Sequence, residues 1–509
     1  MSNERKPVAF GDLRGWMRAL AAAGEMQEID AEVDWNIEIG TIMRLAQGAG
    51  TGPALLFNNI KDYSKPTSRC RRVFGCGLSS YRRVAMMLGL APDTHPRELV
   101  KIGRGILNGR IAPRIIKDGA VKEHMIVEKD VDLYEFPVPH WNRLDGGRYI
   151  ITYAGCVTKH PDTGVMNVGI YRGMLGARDR IPILMWRAQH IGFHSTAWQQ
   201  AGRQEMPIAF VIGWEPSLGF CAGTAIPKDV CEYDVMGAIR GEPVDLVKCE
   251  TVDLYVPASA EIVIEGYLGL DPEDYMMEGP FAEVTGYLAG DRSPKPTVRV
   301  TCITHRSDPI LRGTIEGSLP GSFSENAVCS SIMRSATAWD VLDRAGVPGI
   351  TDVFCPPVHA GINLLIRMKQ SYRGQAKQAA NAVWGSSAGH VRYKHVTVVD
   401  DDIDIHDYAA VDWAIAYRVN AGEDDIVIMP STFGLGLDPS TRRRDRNAML
   451  FGTGKWNRVL IDATMNLDYD PDPEFGGARF PPLVWPAQAD VDAAKARWAE
   501  LGLKKPPRG

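Results

Sequence analysis

Long apolar runs are missing from this 509-residue chain: no uninterrupted apolar stretch reaches 18 residues, roughly the length a membrane-spanning helix needs. The greasiest segments, MPIAFVIGW at 206–214 and AEIVIEGYLGL at 260–270, are short or carry a carboxylate and read as core strands. The nine cysteines are odd in number and form no Cys-x-x-Cys, which argues against a disulfide framework and a thiolate zinc site. A reducing cytoplasm is the compartment expected. Charge of one sign is not in excess: 57 Lys and Arg face 62 Asp and Glu, a net of -5, so there is no basic footprint for nucleic acid. Charges crowd the N-terminal MSNERKPVAFGDLRGW before any apolar block forms, which excludes a secretory signal there. Repeats and low-complexity segments are also lacking. With 45% hydrophobic and 23% charged residues, the composition is that of a globular chain, long enough for about three structural units.

The expected fold is a multidomain α+β and α/β arrangement in four stretches. Residues 1–118 read as a mixed α/β segment, with helical spacing in Phe10 to Ala22, GTIMRLAQGAG at 40–50 and Pro96 to Gly105, and a buried strand in GPALLFNNI at 52–60. Residues 119–322 are rich in Val, Ile and Tyr runs separated by Gly or Pro, which predicts an antiparallel sheet or barrel. One helix, KDVCEYDVMGAIRG at 228–241, interrupts it. Residues 323–455 alternate helix and strand signals, opening with a helix at 326–346, as βαβ units do. A tail, 456–509, carries Pro-rich loops and a final helix at 489–502.

Three motifs look chemical and read better as loops. GSSAG at 385–389 places Ser387 as in a nucleophile elbow, but a helical sequence precedes it where a strand is required. FGTGK at 451–455 lacks both the first glycine and the final Ser or Thr of a phosphate loop. DDDIDIHD at 400–407 could hold a metal, but reads as a solvated acidic turn.

Two segments set unusual polar residues in apolar, β-rich surroundings. In MNVGIYR at 166–172, an ideal strand would send Asn167 and Arg172 to opposite faces. For both to serve one pocket the strand must bulge or turn, and Gly169 permits it. In EGPFAE, Glu278 and Glu283 flank the Gly279-Pro280 turn. Two neighbouring, partly buried carboxylates raise one pKa and make a proton donor near neutral pH, while a nearby arginine holds the other as an anion. On residues alone, Arg172 with one glutamate is equally a structural ion pair. Taken alone, His190 reads as a packed core histidine, Glu232 as a helix-face charge and Lys377 as a helix-surface residue.

MNVGIYR, the Gln189-His190 pair, PKDVCE at 227–232, EGPFAE and AKQAA at 376–380, in this order and spacing, resemble the UbiD family of decarboxylases over nearly the whole chain. The resemblance implies a flavin-reductase-like split β-barrel that binds prenylated FMN, and a C-terminal α/β oligomerisation domain. It also implies a divalent metal, Mn²⁺ or Mg²⁺, with K⁺ nearby. Asn167, His190 and Glu232 match the metal ligands. Val168, Gly169, Ile170, Tyr171, Arg172, Gln189 and Lys377 join those three as cofactor-binding positions. Arg172, Glu278 and Glu283 match the catalytic set, with Glu283 as the acid, Glu278 orienting Arg172, and Arg172 holding the substrate carboxylate. The implied activity is reversible, non-oxidative decarboxylation, releasing carbon dioxide while the cofactor takes up the electrons.

The partners expected on this basis are a prenyltransferase that supplies the cofactor, an aromatic or heteroaromatic acid, and a second copy in a homodimer or higher even oligomer. Apolar residues near Leu319 to Phe323 and Phe433 to Leu437 are expected to line the substrate pocket. A flavin reductase or oxidase on the same barrel, and a flavin-binding accessory subunit, are the alternative readings.

Overall fold

The computed structural model of the protein describes residues 5–187, 189–224, 226–227, 229–389, 391–442, 445 and 455–504. Its first helix, Leu13–Ala22, starts three residues after the expected Phe10. The Asp12 carboxylate accepts a hydrogen bond from Gly15 N at 2.6 Å and fixes the start there. Leu13, Trp16, Met17 and Leu20 form its buried stripe. Behind it lies a four-stranded sheet in the order Met26–Ile29, Ala54–Phe57, Arg72–Gly75, Ile310–Arg312. The last strand comes from far along the chain and ties the N-terminal segment to the central one.

The central region is a seven-stranded antiparallel sheet. Its backbone is the pair Glu205–Ile212 and Ile262–Gly269, in full register from Glu205 opposite Gly269 to Ile212 opposite Ile262. Thr297–His305 and Gly155–Lys159 flank this pair. The expected barrel does not close. Met166–Gly169 pairs only with Gly155–Lys159, Arg180–Pro182 pairs only with Thr297–His305, and these two edges do not pair with each other. The chain between them leaves the sheet, and its Gly173–Met174 pairs instead with Tyr149–Ile151.

Among the described residues three α-helices, not one, interrupt this region: His190–Gln200, Ser217–Ala222 and Glu232–Arg240. The third begins four residues later than expected, because Cys231 is still extended, and stops at Gly241 in the left-handed conformation. The first two escape sequence reading: HIGFHSTAWQQ spreads aromatic and polar residues around the helix, and SLGFCA is too short to show a period.

The long helix Glu325–Arg344, capped by Ser324, packs against Pro96–Asn108, where Gly103 sits beside Ile332 and Ala336. Beyond it lies a five-stranded mixed sheet in the order Ile350–Phe354, Asn363–Met368, His395–Asp400, Lys455–Ala463, Ile426–Phe433. Its three central strands are parallel, with the crossover helix Gln375–Trp384 as the expected βαβ unit, and both outer strands are antiparallel. The final helix is Gln488–Ala496 and buries no residue.

GSSAG forms the turn after Trp384, so no strand precedes Ser387. Most of FGTGK lies outside the described residues. In the acidic run, Asp400 and Asp402 both pair with Arg418, and Asp404 accepts from His406 N. Among the described residues no group of three or more His, Cys, Asp or Glu is placed to hold a metal. No helix among them is long and apolar enough to cross a membrane, and all nine cysteines are free.

Candidate active site

Two polar clusters meet along one stretch of chain, Met166 to Arg172. At its start, the edge strand Met166–Gly169 places Asn167 and Val168 against the first turn of Glu232–Arg240. The Glu232 carboxylate accepts from Asn167 Nδ2 at 2.7 Å and from Val168 N at 2.6 Å. His190, the first residue of its helix, brings Nδ1 to 3.1 Å from Asn167 Nδ2. The structure therefore assembles Asn167, His190 and Glu232, three residues from two helices and a strand.

Burial pushes the Glu232 carboxyl up to about 8 and lowers the His190 imidazole. Asn167 Oδ1 is buried with no hydrogen-bond partner among the described residues. A buried carboxylate, a neutral imidazole and an unpartnered amide oxygen form a donor set that suits a divalent cation.

The chain then turns out of the sheet. Gly169 makes this possible through space, not through a left-handed backbone: a Cβ there would lie 2.7 Å from the Tyr171 ring. Tyr171 folds back over Gly169, and its hydroxyl accepts from Ile191 N at 3.3 Å. Ile170 N donates to Ala222 O at 3.2 Å. Of the bulge or turn expected, the chain makes the turn: the strand ends at Gly169, which frees Arg172 from strand alternation. Gln189 turns its Oε1 to Trp186 N at 2.8 Å and closes the loop ahead of the His190 helix. Lys377 is not brought to these residues by any contact; its ion-pair partner is Asp424, at 4.0 Å.

Arg172 lies between the two glutamates. Its Nε and Nη2 form a fork to Glu278 at 2.8 and 3.0 Å, and its Nη1 pairs with Glu283. EGPFAE places both carboxylates by nesting two ribbons. Met276–Glu278 pairs with Ser293–Lys295, Phe281–Ala282 pairs with Leu288–Ala289, and Gly279-Pro280 joins the two. Gly290, at φ +80°, lines the guanidinium, where a Cβ would lie 3.0 Å from Nη2. Phe281 packs 5.3 Å from the guanidinium carbon. Burial works against the Arg172 cation, but the charges of Glu283 and Glu278 outweigh it and hold its pKa above the ordinary value.

Sequence reading missed the supports of this cluster. Tyr149 donates to Glu278 Oε1 at 2.7 Å. Asp145 accepts from Ala282 N at 2.8 Å, and Gly146 N donates to Pro280 O at 2.7 Å, so the 145–149 stretch fixes the turn. Nothing in GGRYIITY marks these roles. Glu316 was also missed; it is buried near enough to Glu283 to feel its charge.

The chain has relatives of known family. Family models of the UbiD 3-octaprenyl-4-hydroxybenzoate carboxy-lyase match in all three parts: the N-terminal domain at residues 17–102, the Rift-related domain at 114–319 and the C-terminal domain at 327–463. The pyrrole-2-carboxylic acid decarboxylase of Pseudomonas aeruginosa is 34% identical over 81% of this chain and 84% of its own. The vanillic acid decarboxylase of Sedimentibacter hydroxybenzoicus, in closed form, superposes with a TM-score of 0.83 at 29% identity, over 97% of this chain and 99% of that one. The UbiD-class enzyme HmfF of Pelotomaculum thermopropionicum, in complex with FMN, gives 0.79 at 30% identity, over 95% and 99%. An evolved dimeric form of HmfF with prFMN gives 0.76 at 28%, over 94% and 100%. The chain belongs to the UbiD family of carboxy-lyases.

Proposed function

We propose that the protein decarboxylates an aromatic or heteroaromatic acid with prenylated FMN, reversibly and without an electron acceptor, and that Glu283 donates the proton. The observation that carries this reading is the join at Met166 to Arg172, which sets a cation-demanding Asn-His-Glu cluster next to an arginine clasped by two glutamates. Asn167, His190 and Glu232 would hold Mn²⁺ or Mg²⁺, and the ion would hold the flavin phosphate. The helices beginning at His190 and Glu232 add their positive ends. Val168, Gly169, Ile170, Tyr171 and Gln189 surround that position; Lys377 and a K⁺ ion stay outside what the contacts support. Bound there, the prenylated flavin supplies an electron sink for the carbon that loses carbon dioxide.

The remaining steps fall to the chain. Glu278, fixed by Tyr149, orients the Arg172 fork. The donors of Arg172 not used by the glutamates face the substrate carboxylate. Glu283 gives its proton to the carbon left behind and, as an anion, is stabilised by Arg172. In the reverse direction Glu283 removes that proton. The named substrates of two relatives, pyrrole-2-carboxylic and vanillic acid, support a flat ring acid, with Leu319 to Phe323 and Phe433 to Leu437 as apolar walls. A prenyltransferase of the same cytoplasm is the partner that makes the cofactor.

Protein co-expressed with a flavin prenyltransferase is expected to release a modified flavin in mass spectrometry and to free carbon dioxide from ring acids. Active enzyme carrying only unmodified FMN would sink this reading. The exposed Trp413, Tyr417, Ile426 and Ile428 of the C-terminal half support an even homo-oligomer. Light scattering at micromolar concentration should find no lone 56.0 kDa species.

A further inference from the structure

Each decarboxylation consumes one proton, and the contact between Glu283 and Arg172 favours Glu283 as an anion once that proton has left. The site therefore needs a neighbouring group that keeps a proton. Glu316 follows the strand Ile310–Arg312, and its segment packs directly on the Glu283 turn. Ser318 N donates to Val284 O at 3.1 Å, and the Cα of Gly286 and the carbonyl of Glu283 both close on Gly317. Arg44 reaches over from the helix Glu38–Gln47 and donates to the carbonyls of Glu316 and Gly317, pinning the segment.

The Glu316 side chain is 7% exposed, forms no ion pair among the described residues, and leaves Oε2 buried without a hydrogen-bond partner. Two further buried oxygens without partners, Thr285 Oγ1 and Ser318 Oγ, lie on the same two strands of chain. Thr285 and Ser318 flank the contact between the two segments, and the turn after Glu283 reaches the surface at the exposed Tyr287. Resting on the reading of Glu283 as donor, we propose that Glu316 is a positioning residue that stores the proton and returns it to Glu283 after each turnover.

The balance is simple. Glu283 loses its O–H proton to the substrate carbon; the Glu316 O–H then breaks as the Glu283 O–H re-forms; the Glu316 carboxylate takes a proton from solvent at the Thr285 to Leu288 turn. The charges facing Glu316 agree. Burial pushes its carboxyl up to about 7 and the Glu283 anion adds to this, while Ser324 and Arg44 lower it only in part. Arg334, on the helix Glu325–Arg344, and Cys329 also feel its charge, but Arg334 makes no ion pair with it among the described residues.

The test has two parts. In cofactor-free protein, infrared difference spectra between pH about 5.5 and about 8.5 should show a protonated carboxyl titrating near 7 that Glu316→Asp keeps and Glu316→Gln loses. In the loaded enzyme, the storing form is the protonated one, so kcat should fall as pH rises through that value. Glu316→Gln should lose about tenfold in kcat and the limb with it, at unchanged flavin occupancy, and Glu316→Asp should restore the limb. A wild-type infrared titration without this carboxyl, or a Glu316→Gln variant with wild-type kcat and pH profile, would overturn the assignment. If the wild type itself releases no carbon dioxide, the functional reading fails instead, and the infrared result stands apart from it. Should Glu316→Gln not fold, the wild-type and Glu316→Asp titrations decide alone.

Discussion

Around Arg172 a buried guanidinium faces two carboxylates, whereas around Asn167 a buried carboxylate, an amide and an imidazole meet with no ion pair among the described residues. The first cluster carries its own compensating charge, which suits the proton donor proposed there. The second has its carboxyl pushed up by burial and its amide oxygen without a partner among the described residues, which suits the cation proposed there. A few residues of one strand end separate them. A site that must fix a charged cofactor and then move a proton keeps the two electrostatic jobs apart, because one cation shared between them would weaken both.

Removing a donor from the second cluster should have the largest effect. His190→Ala is expected to lose metal and flavin together, with metal affinity down by at least about ten- to a hundredfold. Metal analysis and flavin absorbance on the same preparation check this, and retention of both would show that the clusters are not separated in function. Next in size is a pH effect confined to that cluster. The folded Glu232 carboxyl must give up its proton to bind a cation, so metal affinity of cofactor-free protein should rise with pH and level off above about 8. Below that value the loss is about tenfold per pH unit. Calorimetric titration with Mn²⁺ measures it; a flat profile between pH 6 and 8 contradicts the ligand role.

The smallest effect belongs to the first cluster. Tyr149→Phe removes the hydrogen bond to Glu278 but leaves the Arg172 fork. It should cost about 2 kcal/mol of stability, read as a denaturant midpoint, with metal binding unchanged. Loss of metal in this variant would mean that the clusters are coupled.

The sequence made some of this legible and hid the rest for physical reasons. The helices expected at 10–22 and 326–346 could be read to within a few residues, because helical spacing is local; the caps Asp12 and Ser324 set where they actually start. The antiparallel central sheet followed from the Val, Ile and Tyr runs and the βαβ part of the C-terminal sheet from its alternating helix and strand signals, but not the antiparallel outer strands of the latter, nor the open edges, which depend on where Met166–Gly169 and Arg180–Pro182 come to lie. Asn167, Arg172, Glu278 and Glu283 stand out as polar residues in apolar, β-rich surroundings, whereas His190 and Glu232 could be named only through the family resemblance; the structure brings them together as two clusters. Tyr149, Asp145 and Glu316 could not, because each acts across more than thirty residues of intervening chain or on a backbone atom that no side-chain pattern announces. Gly169 could be picked out as the residue that lets the chain turn, but not the physical cause, which is the room it leaves for the Tyr171 ring.

On the proposed reading the first cluster serves the substrate carboxylate and the proton, and has no part in holding the metal. Glu283→Gln keeps the shape of the side chain but cannot pass a proton. Turnover of a ring acid, flavin content and metal content should be measured in the same samples of wild type and variant. The account predicts full flavin and metal occupancy with turnover down by at least about a hundredfold. Turnover at the wild-type rate with full occupancy would contradict it.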